Sequence, residues 1–181
     1  MFKRIFLFIL KPFSFFPMIA MMMLIFSFSS QTGVDSGQLS YKVSCKIVEF
    51  GGQILDKPVE DWQIDAYAQK IEGPVRKLAH MTEYFILAIT VALPFYVYGL
   101  RGFPLLLVAG IICVGFACTD EYHQSFVAGR SPSMRDVCID STGAFFGIML
   151  VRIVCWTLLA PSRAMKRRKR RIRQQRRRTV S

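Results

Sequence analysis

Acidic residues are scarce in this chain of 181 residues, and cysteines are few. Only 12 Asp and Glu stand against 24 Lys and Arg, and no acidic residue falls between 161 and 181, where 11 of the basic residues lie. The five cysteines form no Cys-x-x-Cys spacing, and all except Cys45 lie within apolar runs, where cysteine serves as a small apolar residue. The sequence therefore predicts neither an intrachain disulfide framework nor a cysteine-bound metal.

Apolar residues, in contrast, make up 52% of the chain and include 16 Phe and 9 Met, although the net charge is +12. The excess charge belongs to the C-terminal segment, because residues 1–160 carry 13 basic and 12 acidic side chains. A nearly neutral, apolar body of this kind argues against intrinsic disorder, a disulfide-built miniprotein and a conventional nucleic-acid-binding domain. It is typical of a membrane protein.

Four apolar runs have the length expected of helices that cross a hydrocarbon core of roughly 30 Å. They cover residues 5–28, 78–100, 103–119 and 137–160. The first run could also be a secretory signal, but the core of such a signal has only about 7–15 residues, so we interpret this run as a retained helix. The sequence therefore predicts an all-α fold, an integral membrane four-helix bundle.

Positive charge predicts how these helices are oriented. With four spans, both termini share one side of the membrane. That side also receives a set of basic residues: Lys3, Arg4, Lys11, Arg101 and the tail, residues 161–181. Since basic residues favour the cytoplasmic face, we expect both termini in the cytoplasm. Residues 31–76 then form an extracytoplasmic segment, and 77–160 form a three-helix transmembrane core.

The basic tail is expected to contact anionic lipid headgroups, at about 1 kcal/mol per basic residue near the surface. It contains no aromatic residue on which a base could stack. We therefore expect lipid contact and no nucleic-acid partner.

The extracytoplasmic segment carries two apolar stripes at helical spacing. The first consists of Leu39, Val43, Ile47, Phe50 and Ile54, and the second of Ile64, Tyr67, Ala68 and Ile71. These stripes predict two short amphipathic helices on the outer surface. Gly51-Gly52 and Pro58 are expected to break the first helix, and Gly73-Pro74 to end the second. The helices could cap the bundle or bind a partner.

Polar residues gather at one end of three predicted spans. The second span opens with His80, Glu83 and Tyr84, the third closes with Asp120, Glu121 and Gln124, and the fourth opens with Asp136 and Asp140. In an up-and-down bundle these three ends lie on the same side of the membrane. Ionisable residues at a membrane boundary usually face the protein interior or a watery cavity, so a converged site is predicted. Gly143 and Gly147 continue the stripe of the fourth span as a GxxxG pattern, which lets a neighbouring helix approach closely.

Each polar residue also has a purely structural interpretation. His80 could cap its helix, Glu83 could pair with Arg76 or Lys77, and Asp136 suits the start of a helix because the dipole favours an acid there. Asp120 and Glu121 are disfavoured at a helix C-terminus, and we expect Arg130 to supply their counter-charge.

Several of these motifs resemble, in this order, the VanZ-like family of bacterial membrane proteins. They are Phe28-Ser29-Ser30-Gln31, Arg76-Lys77-x-x-His80-x-x-Glu83-Tyr84, Asp120-Glu121-x-His123-Gln124-x-Phe126, Gly129-Arg130 and Asp136-x-x-x-Asp140-x-x-Gly143-x-x-x-Gly147, over about residues 28–150. The family takes its name from a protein associated with teicoplanin resistance. The resemblance therefore implies the plasma membrane of a bacterial cell envelope and a link to glycopeptide resistance, without implying a particular reaction.

Two functions suit such a site. An enzyme at the outer leaflet could act on a lipid-linked or phosphorylated cell-wall component, by general acid–base chemistry or through a divalent cation held by carboxylate oxygens. The catalytic candidates are His80, Glu83, Asp120 and Glu121, and the substrate-binding candidates are Tyr84, Gln124, Arg130, Asp136 and Asp140.

The alternative is a non-catalytic pocket that binds a drug, a lipid headgroup or a wall precursor, or docks an envelope partner. A transporter fits less well, because the ionisable residues collect at one end of the spans. A charge network that only locks the helices together, without a ligand, is the structural alternative.

Overall fold

The computed structural model describes residues 12–57 and 59–178, with side chains as far as Thr157. Its described ranges contain five helices and no strand. They are α1 (Phe16–Ser29), α2 (Gly33–Ile54), α3 (Asp61–Tyr98), α4 (Phe103–Gln124) and α5 (Met134–Arg178). The predicted all-α fold is confirmed.

Among the described residues, three helices are long and apolar enough to cross a membrane: α3, α4 and the part of α5 from Met134 to Thr157. The pair α1 and α2 would add a fourth span if it is counted as one broken segment, since the two helices meet at a bend of 103°. The first predicted span begins at residue 5, outside the described residues. The last span and residues 161–178 of the basic tail belong to one continuous helix. The expected lipid contacts of the tail involve side chains beyond those described.

One predicted helix break is displaced and one does not occur. Gly51-Gly52 and Pro58 are the expected break of the first helix, and α2 passes through both glycines and ends at Ile54, before Pro58, which lies outside the described residues. The break predicted at Gly73-Pro74 is wrong, because α3 runs through it without interruption and reaches about 57 Å at 1.5 Å per residue. Proline removes the hydrogen bond to the carbonyl four residues earlier, and here both Pro74 and Lys70 are exposed. The freed carbonyl therefore lies on the outer side of the helix, where a solvent or lipid-headgroup donor can reach it.

The corner between α1 and α2 is fastened to the loop that joins α4 to α5. Thr32 caps α2 by accepting a hydrogen bond from the backbone N–H of Asp35. Next to it, the N–H of Gly33 donates to the carbonyl of Ala128 at 3.0 Å. A Cβ atom at Gly33 would clash with the carbonyl of Gly129, so glycine is required for this close approach.

The core lies between α1, α3, α4 and α5. Its largest buried side chains are Ile25, Tyr84, Leu87, Val91, Leu105 and Ile148. The helices α3 and α5 touch backbone to backbone, because a Cβ atom at Gly143 would strike the carbonyl of Met81 and one at Gly147 would strike that of Phe85. The GxxxG packing is therefore confirmed, and it draws the start of α5 against the middle of α3.

Candidate functional site

The predicted polar residues converge where α1 and α4 end and α5 begins, beside the middle of α3. Asp120 is the most enclosed of the carboxylates, with 2% of its surface exposed. Its Oδ2 atom accepts hydrogen bonds from the hydroxyl of Ser29 at 2.8 Å and the amide of Gln124 at 3.1 Å, and the hydroxyl of Tyr84 lies 3.5 Å away. Its Oδ1 atom has no partner among the described residues. Asp120 thus joins three helices through one oxygen.

Glu121 is stabilised by the helix that follows it. Its Oε1 atom accepts a 2.5 Å hydrogen bond from the backbone N–H of Ser133, the residue before α5. The N-terminus of a helix carries partial positive charge and unpaired N–H groups. An acid at the unfavourable end of α4 is therefore placed at the favourable end of α5.

Arg130 is the counter-charge expected for Asp120 and Glu121, but its hydrogen bonds go to other groups. Its guanidinium donates to the carbonyls of Gln31 at 3.3 Å and Phe28 at 3.5 Å, and to the Oε1 atom of Gln124 at 3.3 Å. Among the described residues it forms no ion pair with Asp120 or Glu121. It therefore braces the end of α1 and reaches Asp120 only through the amide of Gln124.

The charge of Arg130 is nevertheless affected by its surroundings. Burial lowers the pKa of the guanidinium, and the nearby positive charge of Arg76 lowers it further, whereas Asp120 and Glu121 act in the opposite direction. Arginine remains protonated at neutral pH. Two like charges therefore stand close together at this end of the bundle.

Two further pairs complete the site. Nδ1 of His80 lies 3.3 Å from Oε2 of Glu83, one helical turn away on α3, although the atoms lack hydrogen-bond geometry. Nζ of Lys77 lies 2.7 Å from Oδ1 of Asp136, and both side chains are more than a third exposed. Glu83 thus pairs with His80, and Lys77 instead holds the acid at the start of α5.

A pocket of about 230 Å³ opens between these residues. Six of the nine predicted site residues line it: His80, Glu121, Gln124, Arg130, Asp136 and Asp140. Glu83, Tyr84 and Asp120 do not line it. Asp140 is 5% exposed, and its Oδ1 atom has no partner among the described side chains and backbone. Arg76 also lines the pocket and forms no ion pair within the described part of the chain.

Sequence reasoning missed three contributors to the site. Ser29 lies on a different helix from the other polar residues, and its only signal was its place in the motif that follows the first apolar run. Ser133 acts through its backbone, which no side-chain pattern reveals. Arg76 opens the motif of the second span, but the sequence suggests a role for it only as a partner of Glu83, since a free surface arginine and a pocket arginine look alike in sequence.

No three His, Cys, Asp or Glu side chains come close enough to hold a metal ion within the described residues. The carboxylates are separated because Glu121 and Asp136 are directed to Ser133 and Lys77. The hypothesis of a divalent cation held by carboxylates from several helices gains no support from this arrangement.

Comparison with known proteins identifies a family for this chain. A family model described as VanZ/LLP1 matches residues 13–155, which include all of the residues described above for the site. No curated protein and no solved structure matches the chain significantly.

Proposed function

The chain belongs to the VanZ/LLP1 family of multi-pass membrane proteins, and on this basis we propose that its pocket binds the anionic head of a cell-envelope lipid or lipid-linked wall component. The protein would lie in the bacterial plasma membrane with both termini in the cytoplasm. Its pocket would then open at the outer leaflet.

The observation that carries the proposal is the pairing of Arg76 and Arg130 in one pocket. The three hydrogen bonds of Arg130 go to neutral oxygens, and Arg76 has no ion-pair partner within the described residues. Neither charge is neutralised by a direct contact. Guanidinium groups bind phosphate by parallel, charge-assisted hydrogen bonds, and an anion between them would relieve their mutual repulsion.

The size and position of the pocket favour a lipid head over a whole molecule. Pockets for drug-sized ligands have volumes of about 300–1,000 Å³, and this one has about 230 Å³. It lies where α4 ends and α5 begins, at one end of the apolar spans. A head could enter there while its acyl or prenyl chain remained in the membrane.

The pocket also suits a hydrogen-bond donor on the ligand. Asp140 is buried with a free Oδ1 atom, and a buried acceptor without a partner is costly. A hydroxyl or ammonium group on the head would supply the missing donor. The preferred ligand therefore carries a phosphate beside a hydroxyl or an amine.

A catalytic role for the same pocket is the second candidate. His80 lines the pocket, with Glu83 3.3 Å from its Nδ1 atom, and a carboxylate behind one ring nitrogen can orient the other for proton transfer. Asp120 and Glu121 receive less support as catalytic groups, because Ser29, Gln124 and Ser133 occupy one oxygen of each.

The binding proposal is tested by titrating the purified protein with a polyprenyl monophosphate, with binding followed by native mass spectrometry. Hydrogen bonds to charged groups contribute about 1.5–3 kcal/mol, so Arg76→Gln should raise Kd by roughly tenfold or more. Arg101→Gln is the matched control. Arg101 lies in the turn between α3 and α4, over the ring of Tyr96 and away from the pocket. Equal Kd values for the two variants would reject the proposal.

Two further measurements test whether the protein is catalytic and whether it contributes to teicoplanin resistance. His80→Gln should retain binding of the polyprenyl phosphate. If the wild type hydrolyses this ligand with water to polyprenol and free phosphate, and His80→Gln binds it but releases no phosphate, the protein is catalytic. We also propose that the protein lowers teicoplanin susceptibility. Expression in a sensitive host should raise the inhibitory concentration, and Arg76→Gln should abolish that rise.

A further inference from the structure

The apolar stripe of α2 does not face the protein. Its five residues, Leu39, Val43, Ile47, Phe50 and Ile54, are between 43% and 67% exposed. The buried residues of the helix are instead Ser40, Ser44 and Gly52. An amphipathic helix that packs on a soluble core shows the reverse pattern, so the stripe must face something other than the described chain.

The buried face of α2 is complete as a packing surface. The hydroxyls of Ser40 and Ser44 donate to carbonyls within the helix at 3.0 and 2.9 Å, so they are satisfied without water. Small residues let α2 lie against the N-terminal half of α3, where the side chains of Tyr41 and Asp65 are hydrogen-bonded. The packing of α2 against α3 is therefore satisfied in this orientation. It leaves the apolar stripe facing outward.

The third face of α2 is charged. At 3.6 residues per turn, Lys42, Lys46 and Glu49 lie on the side of the stripe away from the packed face, and all three are exposed. The helix thus has three sectors in order: one against α3, one apolar, and one charged. A helix that lies in a membrane interface beside its own protein needs these three sectors, because it meets protein, acyl chains and water.

Continuity with the spans identifies the occupant of the apolar sector. The end of α1 presents exposed Phe26 and Phe28, and the chain then turns by 103° into α2. Because α1 forms the end of the first predicted span, residues 5–28, a helix set nearly at right angles to it would run along the membrane surface. On α3, beside α2, the exposed residues Trp62 and Tyr67 are of the types enriched at membrane interfaces.

We propose that α2 lies in the plane of the membrane interface, with its apolar stripe among the acyl chains of the leaflet that borders the pocket. Its position is tied to the pocket, because Gly33 at its start bonds to Ala128 and Arg130 holds the carbonyls of Phe28 and Gln31. The pocket would therefore be held at headgroup depth. A ligand would reach it from within the leaflet rather than from bulk water.

The test places a nitroxide spin label on full-length protein in lipid nanodiscs and measures its accessibility to oxygen and to a water-soluble nickel chelate. The labelled positions are Val43→Cys and Ile47→Cys, with Lys46→Cys as the matched control on the charged face, all in a chain whose five native cysteines are replaced. Labels at 43 and 47 should be relaxed mainly by oxygen and the label at 46 mainly by nickel. Nickel-dominated relaxation at 47 would place the stripe in water, and low accessibility to both reagents would place it against a second copy or another protein. Either result overturns the proposal.

A second measurement avoids the replacement of cysteines. Ile47→Trp and Lys46→Trp are compared in the otherwise native chain, in nanodiscs whose lipids carry bromine on their acyl chains. The proposal expects stronger fluorescence quenching for the tryptophan at 47 than for the one at 46. Equal quenching contradicts it.

Discussion

The hydroxyl of Ser29 donates a 2.8 Å hydrogen bond to Oδ2 of Asp120, although 91 residues separate the two. Both side chains are buried. The bond links the end of α1 to the end of α4. The side-chain amide of Gln124 donates hydrogen bonds to both residues. It makes the end of α1 a wall of the polar site rather than a separate membrane anchor.

Replacing Ser29 by alanine should destabilise the protein by about 1–3 kcal/mol, because a buried carboxylate oxygen loses a donor. Thermal unfolding in detergent measures the change. Ser30→Ala is the control, since Ser30 is exposed at the C-terminal end of α1 and its hydroxyl donates to the carbonyl of Phe26 in the last turn of that helix. The two variants should differ clearly in Tm, and equal values would show that the Ser29–Asp120 bond contributes nothing.

Gly147→Ala should separate α3 from α5, because the new methyl group meets the carbonyl of Phe85. Overpacking of this kind costs about 1–3 kcal/mol. Gly115→Ala on α4 meets open space and should leave stability unchanged or raise it slightly, since alanine favours the helix. A Gly147→Ala variant as stable as the Gly115→Ala variant would be inconsistent with the close packing of α3 on α5.

Arg130→Lys keeps the charge but removes the planar group that spans three oxygens on α4 and the end of α1. An ammonium is a point charge with a different reach, so we expect the α1–α2 corner to loosen. Limited proteolysis should show faster cleavage near residues 30–33. Arg135→Lys, at an exposed position on α5, is expected to be cleaved like the wild type. If Arg130→Lys is also cleaved like the wild type, the guanidinium does not brace this corner.

The proposed orientation predicts which native cysteine a membrane-impermeant thiol reagent reaches in intact cells. Cys45 on α2 is partly exposed and lies in the segment expected outside. Cys113 and Cys155 are buried, and Cys118 and Cys138 are exposed but lie in apolar runs expected among the acyl chains. Labelling at Cys45 before lysis is the expected result, with mass spectrometry locating the label. Labelling of Cys45 only after lysis would invert the topology and place the pocket in the cytoplasm.

Local patterns in the sequence predict much of the fold. Apolar runs of sufficient length mark helices because a backbone in lipid must satisfy its own hydrogen bonds. The spacing of Gly143 and Gly147 marks a helix face that a neighbour can approach, and the structure brings α3 onto that face. The break predicted at Gly73-Pro74 failed because a proline on an exposed face of a long helix is tolerated when the rest of that helix is packed.

Which groups form pairs could not be read from the same patterns. Sequence spacing places His80 one turn from Glu83, and the two do meet. It could not show that Lys77 reaches Asp136, or that Arg130 is directed to backbone carbonyls instead of carboxylates. These choices depend on the distances between helices and on the path of the α4–α5 loop, which are properties of the packed bundle.

The sequence by itself determined that this protein is a helical membrane protein with its polar residues at one end of the spans, because membrane length and helical periodicity act locally along the chain. The tertiary structure decided which charges remain without partners. Packing placed Ser29 and Gln124 against Asp120, turned Glu121 toward the start of α5, and left Arg76 and Asp140 facing a shared pocket. A charged side chain remains available to a ligand only when the polar groups around it form hydrogen bonds or ion pairs with one another. In this protein those surrounding groups come from four different helices.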